Sequence, residues 1–253
     1  MNKEFKTDKL YVKVFNDRTE MGKDAAKETA ALIAALLKHK PEINMIFAAA
    51  PSQDEFLREL ISNKNVEWDR INAFHMDEYA GLPPDAPQSF GVFLRGRIFG
   101  KVNFKSVNYM DGTAVAEEEC ARYAALLKKY PPDIICMGIG ENGHIAFNDP
   151  HVAFFNDPQT VKIVELDKAC RRQQVNDGCF PSLDAVPAYA LTLTIPVLMS
   201  AAHIVCVVPG SRKADAVKAA VQGEISEQCP ASILRKHDNA VLYCDKDSGI
   251  YIT

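Results

Sequence analysis

Nine short runs of apolar and β-branched residues, at 10–15, 45–50, 70–76, 106–109, 134–138, 160–164, 190–194, 203–208 and 240–244, alternate with stretches of helical periodicity. Few folds accommodate that pattern. Strands that are apolar on both sides must be covered on both faces, so the alternation predicts an α/β fold, a mostly parallel sheet with helices on both faces. The spacing predicts helices over 17–37, with Asp17 as cap, and over 52–60, where Ser52 and Glu55 would form a capping box. Two more are expected over 114–129 and over 211–222, the latter closed by Gly223. No repeat or low-complexity tract breaks the alternation, which reads as a single domain over residues 1–253; the least regular stretch is 150–187, dense in Asp, Asn, Pro and Gly.

Composition narrows the classes of function. With 47% hydrophobic and 25% charged residues, the chain has enough apolar material for a large core and is not a disordered tail. Twenty-nine Lys+Arg against 33 Asp+Glu give a net charge of -4, so no nucleic-acid surface is expected, although a local basic pocket for a small anion is compatible with it. No apolar run approaches the roughly 20 residues of a membrane span. The opening Met1-Asn2-Lys3-Glu4-Phe5-Lys6 has no apolar stretch behind its lysines, so no secretory leader and a cytoplasmic location are expected. Seven widely spaced cysteines without a Cys-x-x-Cys pair read as reduced, mostly buried thiols rather than a disulfide framework or metal cluster.

In an open parallel sheet, ligands bind outside the carboxyl ends of the strands, so the loops after strands are where chemistry is sought. The first such loop, Phe74-His75-Met76-Asp77-Glu78-Tyr79-Ala80-Gly81-Leu82-Pro83, runs a strand directly into two carboxylates, candidates for a raised pKa and proton transfer. The second runs from Met137 through Gly138, Gly140 and Gly143 to His144 and Asp149-Pro150. Its Gly-x-Gly-x-x-Gly spacing also occurs in dinucleotide folds. Here, however, the glycines lead to a histidine with Asn142 and Asp149 close by, an arrangement suited to orienting an imidazole for acid/base work. The third, Val207-Val208-Pro209-Gly210-Ser211-Arg212-Lys213, brings backbone amides and two cations to a helix start, the makings of a phosphate site. A fourth, Ala48-Ala49-Ala50-Pro51-Ser52-Gln53, could present the Ser52 hydroxyl to the same anion.

In this order, and with Pro187-Ala188-Tyr189-Ala190-Leu191-Thr192 added, the loops resemble those of the glucosamine-6-phosphate deaminase/isomerase family over residues 20–245. The resemblance implies a Rossmann-like fold and conversion of an amino-sugar phosphate to a keto-sugar phosphate with release of ammonia. It implies no organic cofactor and no metal, a small sugar phosphate as partner rather than nucleic acid or membrane, and is compatible with a monomer or a homo-oligomer. By the same resemblance His144 opens the sugar ring with Asn142 and Asp149 as partners, Asp77 shuttles the C2/C1 proton and Glu78 supports Asp77. Ser52, Gly140, Gly143, Ser211 and Lys213 would hold the phosphate-bearing substrate, and Arg172 is the candidate for an arginine that the family places before the Pro187 segment.

This chain departs from the pattern in carrying Asn142 where an aspartate is usual, Asp149 where a glutamate is usual, and Ala49-Ala50-Pro51-Ser52 in place of a Gly-Gly-Thr type turn. Three other readings compete: a hydrolase resembling 6-phosphogluconolactonase, a sugar-phosphate-binding regulator without turnover, and a generic nucleotide-binding domain. The sequence leaves glucosamine and galactosamine phosphates equally open as substrates.

Overall fold

The computed structural model describes residues 3–83 and 85–252. The chain begins with an antiparallel pair, β1 (Lys3–Thr7) and β2 (Leu10–Phe15), followed by α1 (Arg18–Leu37) and β3 (Ile43–Phe47). Next come α2 (Asp54–Ser62), β4 (Ile71–His75), the short strand β5 (Asp77–Tyr79), α3 (Phe90–Leu94), β6 (Ser106–Asn108), α4 (Ala116–Lys129) and β7 (Ile134–Met137). The remaining elements are β8 (Val161–Glu165), α5 (Lys168–Asn176), β9 (Tyr189–Leu193), α6 (Ile195–Met199), β10 (His203–Val208), α7 (Ala214–Gln222) and β11 (Ala240–Asp245).

Eight strands form one sheet in the order β1-β2-β11-β10-β7-β3-β4-β6, parallel throughout except for the β1-β2 pair. The two-residue period of the central strands divides the core. In β10, Ile204, Cys206 and Val208 face the layer that holds Tyr123 and Leu127 of α4 and Val217 of α7, whereas Val205 and Val207 face the layer of Met21 and Ile33 from α1 and Phe56 from α2. Helices therefore cover both faces, as the alternating runs require. Chain order reverses between β7 and β3: β3, β4 and β6 run to one edge, β7, β10 and β11 toward the other. This switch point opens the crevice where ligands of such sheets bind.

Two expectations about elements are corrected. The runs at 160–164 and 190–194 do form strands, but with β5 they make a separate antiparallel sheet, β5-β9-β8, rather than joining the central one. The proposed capping box at Ser52 does not form: Pro51–Gln53 is a short 3-10 turn, α2 starts at Asp54 without a side-chain cap, and Glu55 instead pairs with Arg18. Gly223 caps the end of α7 as expected, with an extended backbone; a Cβ there would lie 2.5 Å from the Ala219 carbonyl oxygen, so close approach, not positive φ, requires the glycine. All seven cysteines are free, five of them buried, as expected. Among the described residues no helix is long and apolar enough to cross a membrane.

The small sheet exists because the chain leaves the central sheet after His75. The His75 Nδ1 donates to the Asp77 carbonyl at 2.9 Å, and its Nε2 accepts from the Met110 N–H at 2.9 Å, so a fully buried neutral imidazole holds the corner. Burial pushes its pKa down, against the pull of Glu78, Asp77 and Glu119, which suits that uncharged role. Where β6 stops, the Tyr123 hydroxyl accepts from the His75 N–H at 3.0 Å and donates toward the His75 carbonyl at 2.9 Å. Tyr123→Phe would strand those buried backbone groups. It should lower unfolding stability in urea by about 1–3 kcal/mol, and a loss under about 0.5 kcal/mol would show that the corner does not need the phenol.

Candidate functional site

A cleft of about 340 Å³ lies over the switch point, lined by the segments that follow β3, β4, β7 and β10 and by one side of α5. Its lining includes two kinds of group: Asp77 and His144, which can carry protons, and Ser52, Ser211, Lys213, Arg18 and Arg212, which can meet an anion.

Asp77 occupies the first position of β5, and the strand's alternation decides the fate of the three residues. Asp77 faces the cleft. Tyr79, the next residue on that side of the pleat, packs among Phe90, Phe147 and Phe180 with ring centroids 4.8 to 5.3 Å away. Asp77 is only 6% exposed, and neither of its carboxylate oxygens accepts a hydrogen bond among the described residues. Burial first, and the charge of Glu78 second, hold its carboxyl well above the usual range. Glu78 itself points the other way: it accepts from the backbone N–H groups of Tyr79 (2.9 Å), Phe90 (3.0 Å) and Gly91 (2.9 Å) and so fastens the start of α3. Glu78, expected as the support of Asp77, does not line the cleft. It reaches Asp77 through its charge and through the strand they share.

His144 sits 7% exposed with its ring flat against Gly140, where a Cβ would come within 2.2 to 2.3 Å of three ring atoms; position 140 therefore has to be glycine for the imidazole to lie there. The ring Nδ1 lies 2.7 Å from Asn142 Oδ1 and 3.1 Å from Asp149 Oδ1. Its Nε2 has no partner among the described residues. Asp149, fully buried, would be raised by burial, but the hydrogen bond and charge of His144, with donors from Asn142 and the Asp167 backbone, outweigh this and hold its carboxyl below the usual range. Ala146, which also lines the cleft, has a left-handed backbone with φ 48°, unusual outside glycine and a mark of local strain. The turn holding it is latched to β9 by Asn148 Nδ2 on the Leu193 carbonyl and by the Thr192 hydroxyl, which accepts from the Phe147 N–H.

Lys213, also in the cleft lining, is 8% exposed, and among the described residues it forms no ion pair. Burial lowers its pKa, partly offset by Asp177 and Glu141, whose carboxylates are occupied by Arg212 at 2.9 and 3.4 Å. A buried ammonium without a counter-ion is completed by an anionic ligand. Arg18, at the first position of α1, is clamped by both oxygens of Glu55 at 2.8 Å and donates to the Pro51 carbonyl at 3.1 Å. Gly210, with φ 94°, allows the turn that presents Ser211 and Lys213. The third loop, expected as a phosphate site, lines the cleft through Gly210, Ser211, Arg212 and Lys213, and Ser52 and Gly140 also line it.

Two expected ligand-binding residues lie elsewhere. Gly143 has φ 85° and a Cβ there would meet Cys229 Sγ at 2.9 Å, so its role is in turning the loop and packing it against Cys229. Arg172 is exposed on α5 and does not line the cleft; the arginines that do are Arg18 and Arg212. Sequence reasoning missed Arg18, although it follows a strand and opens a helix like the loops it did identify. It also missed the buried Gln173 and Gln174 of α5, whose only local signal is the Asp167 cap accepting from the Cys170 N–H at 2.6 Å.

His144, Asp149 and Cys170 each place one potential metal-ligand atom within 4.8 Å of the others, and so do Asp149, His151 and Asp167. In the first group the imidazole Nδ1 is already bonded to Asn142 and Asp149, and burial and the neighbouring carboxylates Asp149, Asp167 and Asp77 hold the Cys170 thiol well above its usual range. These features fit a hydrogen-bonded relay better than a thiolate metal site.

Residues 16–243 match the family model described as glucosamine-6-phosphate isomerases/6-phosphogluconolactonase. The chain is 37% identical over 218 residues to the glucosamine-6-phosphate deaminase of Bacillus cereus (strain B4264), covering 86% of this chain and 81% of the relative. The same figures hold for that of Bacillus anthracis (strain CDC 684 / NRRL 3495). Among solved structures it is similar to a monomeric glucosamine-6-phosphate deaminase, with TM-score 0.85, 33% identity and coverage of 94% of this chain and 98% of that one. A 6-phosphogluconolactonase from Thermotoga maritima, at TM-score 0.77 and 20% identity over 94% of this chain and 100% of the other, shares the fold.

The unpaired Lys213 makes anion binding testable without knowing the ligand. Inorganic phosphate at about 100 times its Kd should stabilise the protein by about 2.7 kcal/mol, seen as a rise in Tm. Lys213→Met should remove that rise, and an equal rise in the variant would move the anion site elsewhere.

Proposed function

Since the chain belongs to the family of glucosamine-6-phosphate isomerases and 6-phosphogluconolactonases, we propose that it is an amino-sugar-phosphate deaminase, converting glucosamine 6-phosphate or its galactosamine counterpart to a ketose 6-phosphate and ammonia. The observation that carries the reading is a buried carboxyl at Asp77 sharing one cleft with the imidazole of His144, where among the described residues neither the carboxyl nor Nε2 has a hydrogen-bond partner. A lactone hydrolysis needs a base to activate water. It gives no use to a second proton carrier kept out of water and short of hydrogen-bond donors.

The phosphate of the substrate binds at Lys213, Ser211 and Ser52, with Arg18 and Arg212 adding positive charge. His144 Nε2 takes the proton from O1 of the closed sugar and delivers it to O5, opening the ring to the aldehyde, while Asn142 and Asp149 hold Nδ1. The Asp77 carboxylate then removes the proton from C2. The electrons of the C–H bond form a C1–C2 double bond while the C1=O π pair moves to O1, which takes a proton from the C2 ammonium group; the resulting enolamine is protonated at C1 by the same carboxyl group. Carbon 2 is left as an iminium; water adds to it, and ammonia departs as the ketone forms.

Asp77 must be ionised to accept the C2 proton. Because its pKa is raised in the folded protein, activity is lost as the pH falls through a value above the usual carboxylate range of about 4. Removing the neighbouring charge with Glu78→Gln should move the acid limb of kcat/KM to lower pH; an unmoved limb would exclude Asp77 as the titrating group.

The assay follows ammonia and fructose 6-phosphate from glucosamine 6-phosphate in parallel, with galactosamine 6-phosphate and 6-phosphogluconolactone as further substrates. Asp77→Asn should reduce kcat by about 10²- to 10⁴-fold while the phosphate-induced rise in Tm is retained. Lactone hydrolysis without ammonia release, or an Asp77→Asn enzyme at full rate, would overturn the reading.

A further inference from the structure

Asn142 sits at the centre of the group behind His144, and a neutral amide there has to be oriented by something. Its Nδ2 carries two protons. One is accepted by Asp149 Oδ1 at 3.0 Å and the other by Asp167 Oδ2 at 3.2 Å. Its Oδ1 accepts from the His144 backbone N–H at 3.1 Å and lies 2.7 Å from the ring Nδ1. Rotating the amide by half a turn would set its oxygen against two carboxylates and its NH₂ against the His144 N–H, losing every one of these bonds.

We propose that Asp167 is a positioning residue for His144, acting through Asn142. By accepting the second amide proton it locks the amide with its oxygen toward the imidazole. That oxygen, 2.7 Å from Nδ1 and nearer than the Asp149 oxygen at 3.1 Å, can like the carboxylate only accept, so Nδ1 carries the ring proton and Nε2 presents its lone pair to the cleft; an amide turned the other way would set a donor against Nδ1 in competition with Asp149. With Asp149 alone as acceptor, one proton of the half-buried amide would lose its protein partner and the preference for this orientation would weaken. The same carboxylate also caps α5, its Oδ1 accepting from the Cys170 N–H at 2.6 Å. One side chain therefore ties the helix that brings Gln173 and Gln174 to the cleft to the state of the imidazole. The Asp167 backbone N–H, which donates to Asp149 Oδ2 at 3.2 Å, does not depend on the side chain and would survive its replacement.

Two substitutions separate the lock from the cap, since Ser and Asn are both good N-caps. Asp167→Ser retains a capping oxygen but is too short to reach Asn142. Asp167→Asn caps with its oxygen and turns its NH₂ toward that of Asn142. The direct measurement is the ¹⁵N spectrum of histidine-labelled full-length protein, in which His144→Gln identifies the His144 signals among the six histidines. At a pH where His144 is neutral, the native protein should show it protonated at Nδ1, and both variants should show it mixed or protonated at Nε2 with Tm retained.

The kinetic counterpart rests on the deaminase reading: kcat should fall about tenfold or more with KM little changed. The double variant N142D/D167N, which exchanges the acid and the amide, should recover kcat relative to D167N. A native-like Nδ1 tautomer in both single variants, or no recovery in the double variant, would overturn the proposal. Failure of the native protein to release ammonia would instead overturn the deaminase reading and leave the spectrum to decide this one.

Discussion

Among the described residues the carboxyl group of Asp77 is withdrawn from water without a hydrogen-bond donor, and much of the surrounding architecture is what makes that tolerable. An isolated carboxylate in a protein interior resists ionisation, so the cost of burial appears as a raised pKa rather than as a failure to fold. The neutral His75 turns the chain out of β4 so that Asp77 enters a second sheet. Pairing of β5 with β9 then fixes which side of the pleat each residue takes: Asp77 to the cleft, Glu78 to the backbone of α3, Tyr79 to the aromatic cluster. A shift of one residue in that register would exchange Asp77 with Glu78 and put Tyr79 on the wrong face.

The cleft lining offers two sets of groups. Arg18 is paired with Glu55 and Arg212 with Asp177 and Glu141, so among the described residues the buried Lys213 is the lining cation without an ion pair. Near the Gly140 loop His144 is bonded to Asn142 and Asp149, and among the described residues a carboxylate oxygen of Asp77 and Nε2 of His144 have no hydrogen-bond partner. A ligand with phosphate at one terminus and transferable protons at the other fits such a division. A ligand charged along its whole length does not.

Much of this was legible in the sequence because it depends on local pattern. The central strands declare themselves by apolar runs, and the loops that follow them carry Asp77, His144 and Lys213, whose residue types differ sharply from their neighbours. The antiparallel sheet was not legible, since Asp77-Glu78-Tyr79 has no strand character of its own and becomes a strand by pairing with residues far along the chain. For the same reason the side taken by Glu78 could not be read: two adjacent carboxylates look alike until register sends them to opposite faces. Helix α5 hid in a stretch whose Asp, Asn and Gly content resembles loop, and with it went Gln173 and Gln174. Arg172, the arginine expected from that stretch, lies on the exposed side of the helix. Gly143 was read for backbone freedom near a ligand, whereas that freedom is spent on the turn and on contact with Cys229.

Helix α5 also joins the loop of Lys213 to the loop of His144. Arg212, beside Lys213 in the anion loop, bonds Asp177 and the Asn176 carbonyl at the end of this helix and pairs with Glu141 in the loop that carries His144. The Glu141 N–H in turn donates to Gln173 Oε1 of the same helix at 2.8 Å. An anion drawn to Lys213 would therefore act on a frame already attached to the loop of the imidazole. Binding energy gained at the non-reacting phosphate can hold that loop in place at the reacting end, which is how contacts remote from the chemistry come to raise kcat instead of only lowering KM. On this view a truncated sugar without phosphate is poor for two reasons: it binds weakly, and once bound it leaves Arg212, Glu141 and α5 without the load that fixes them.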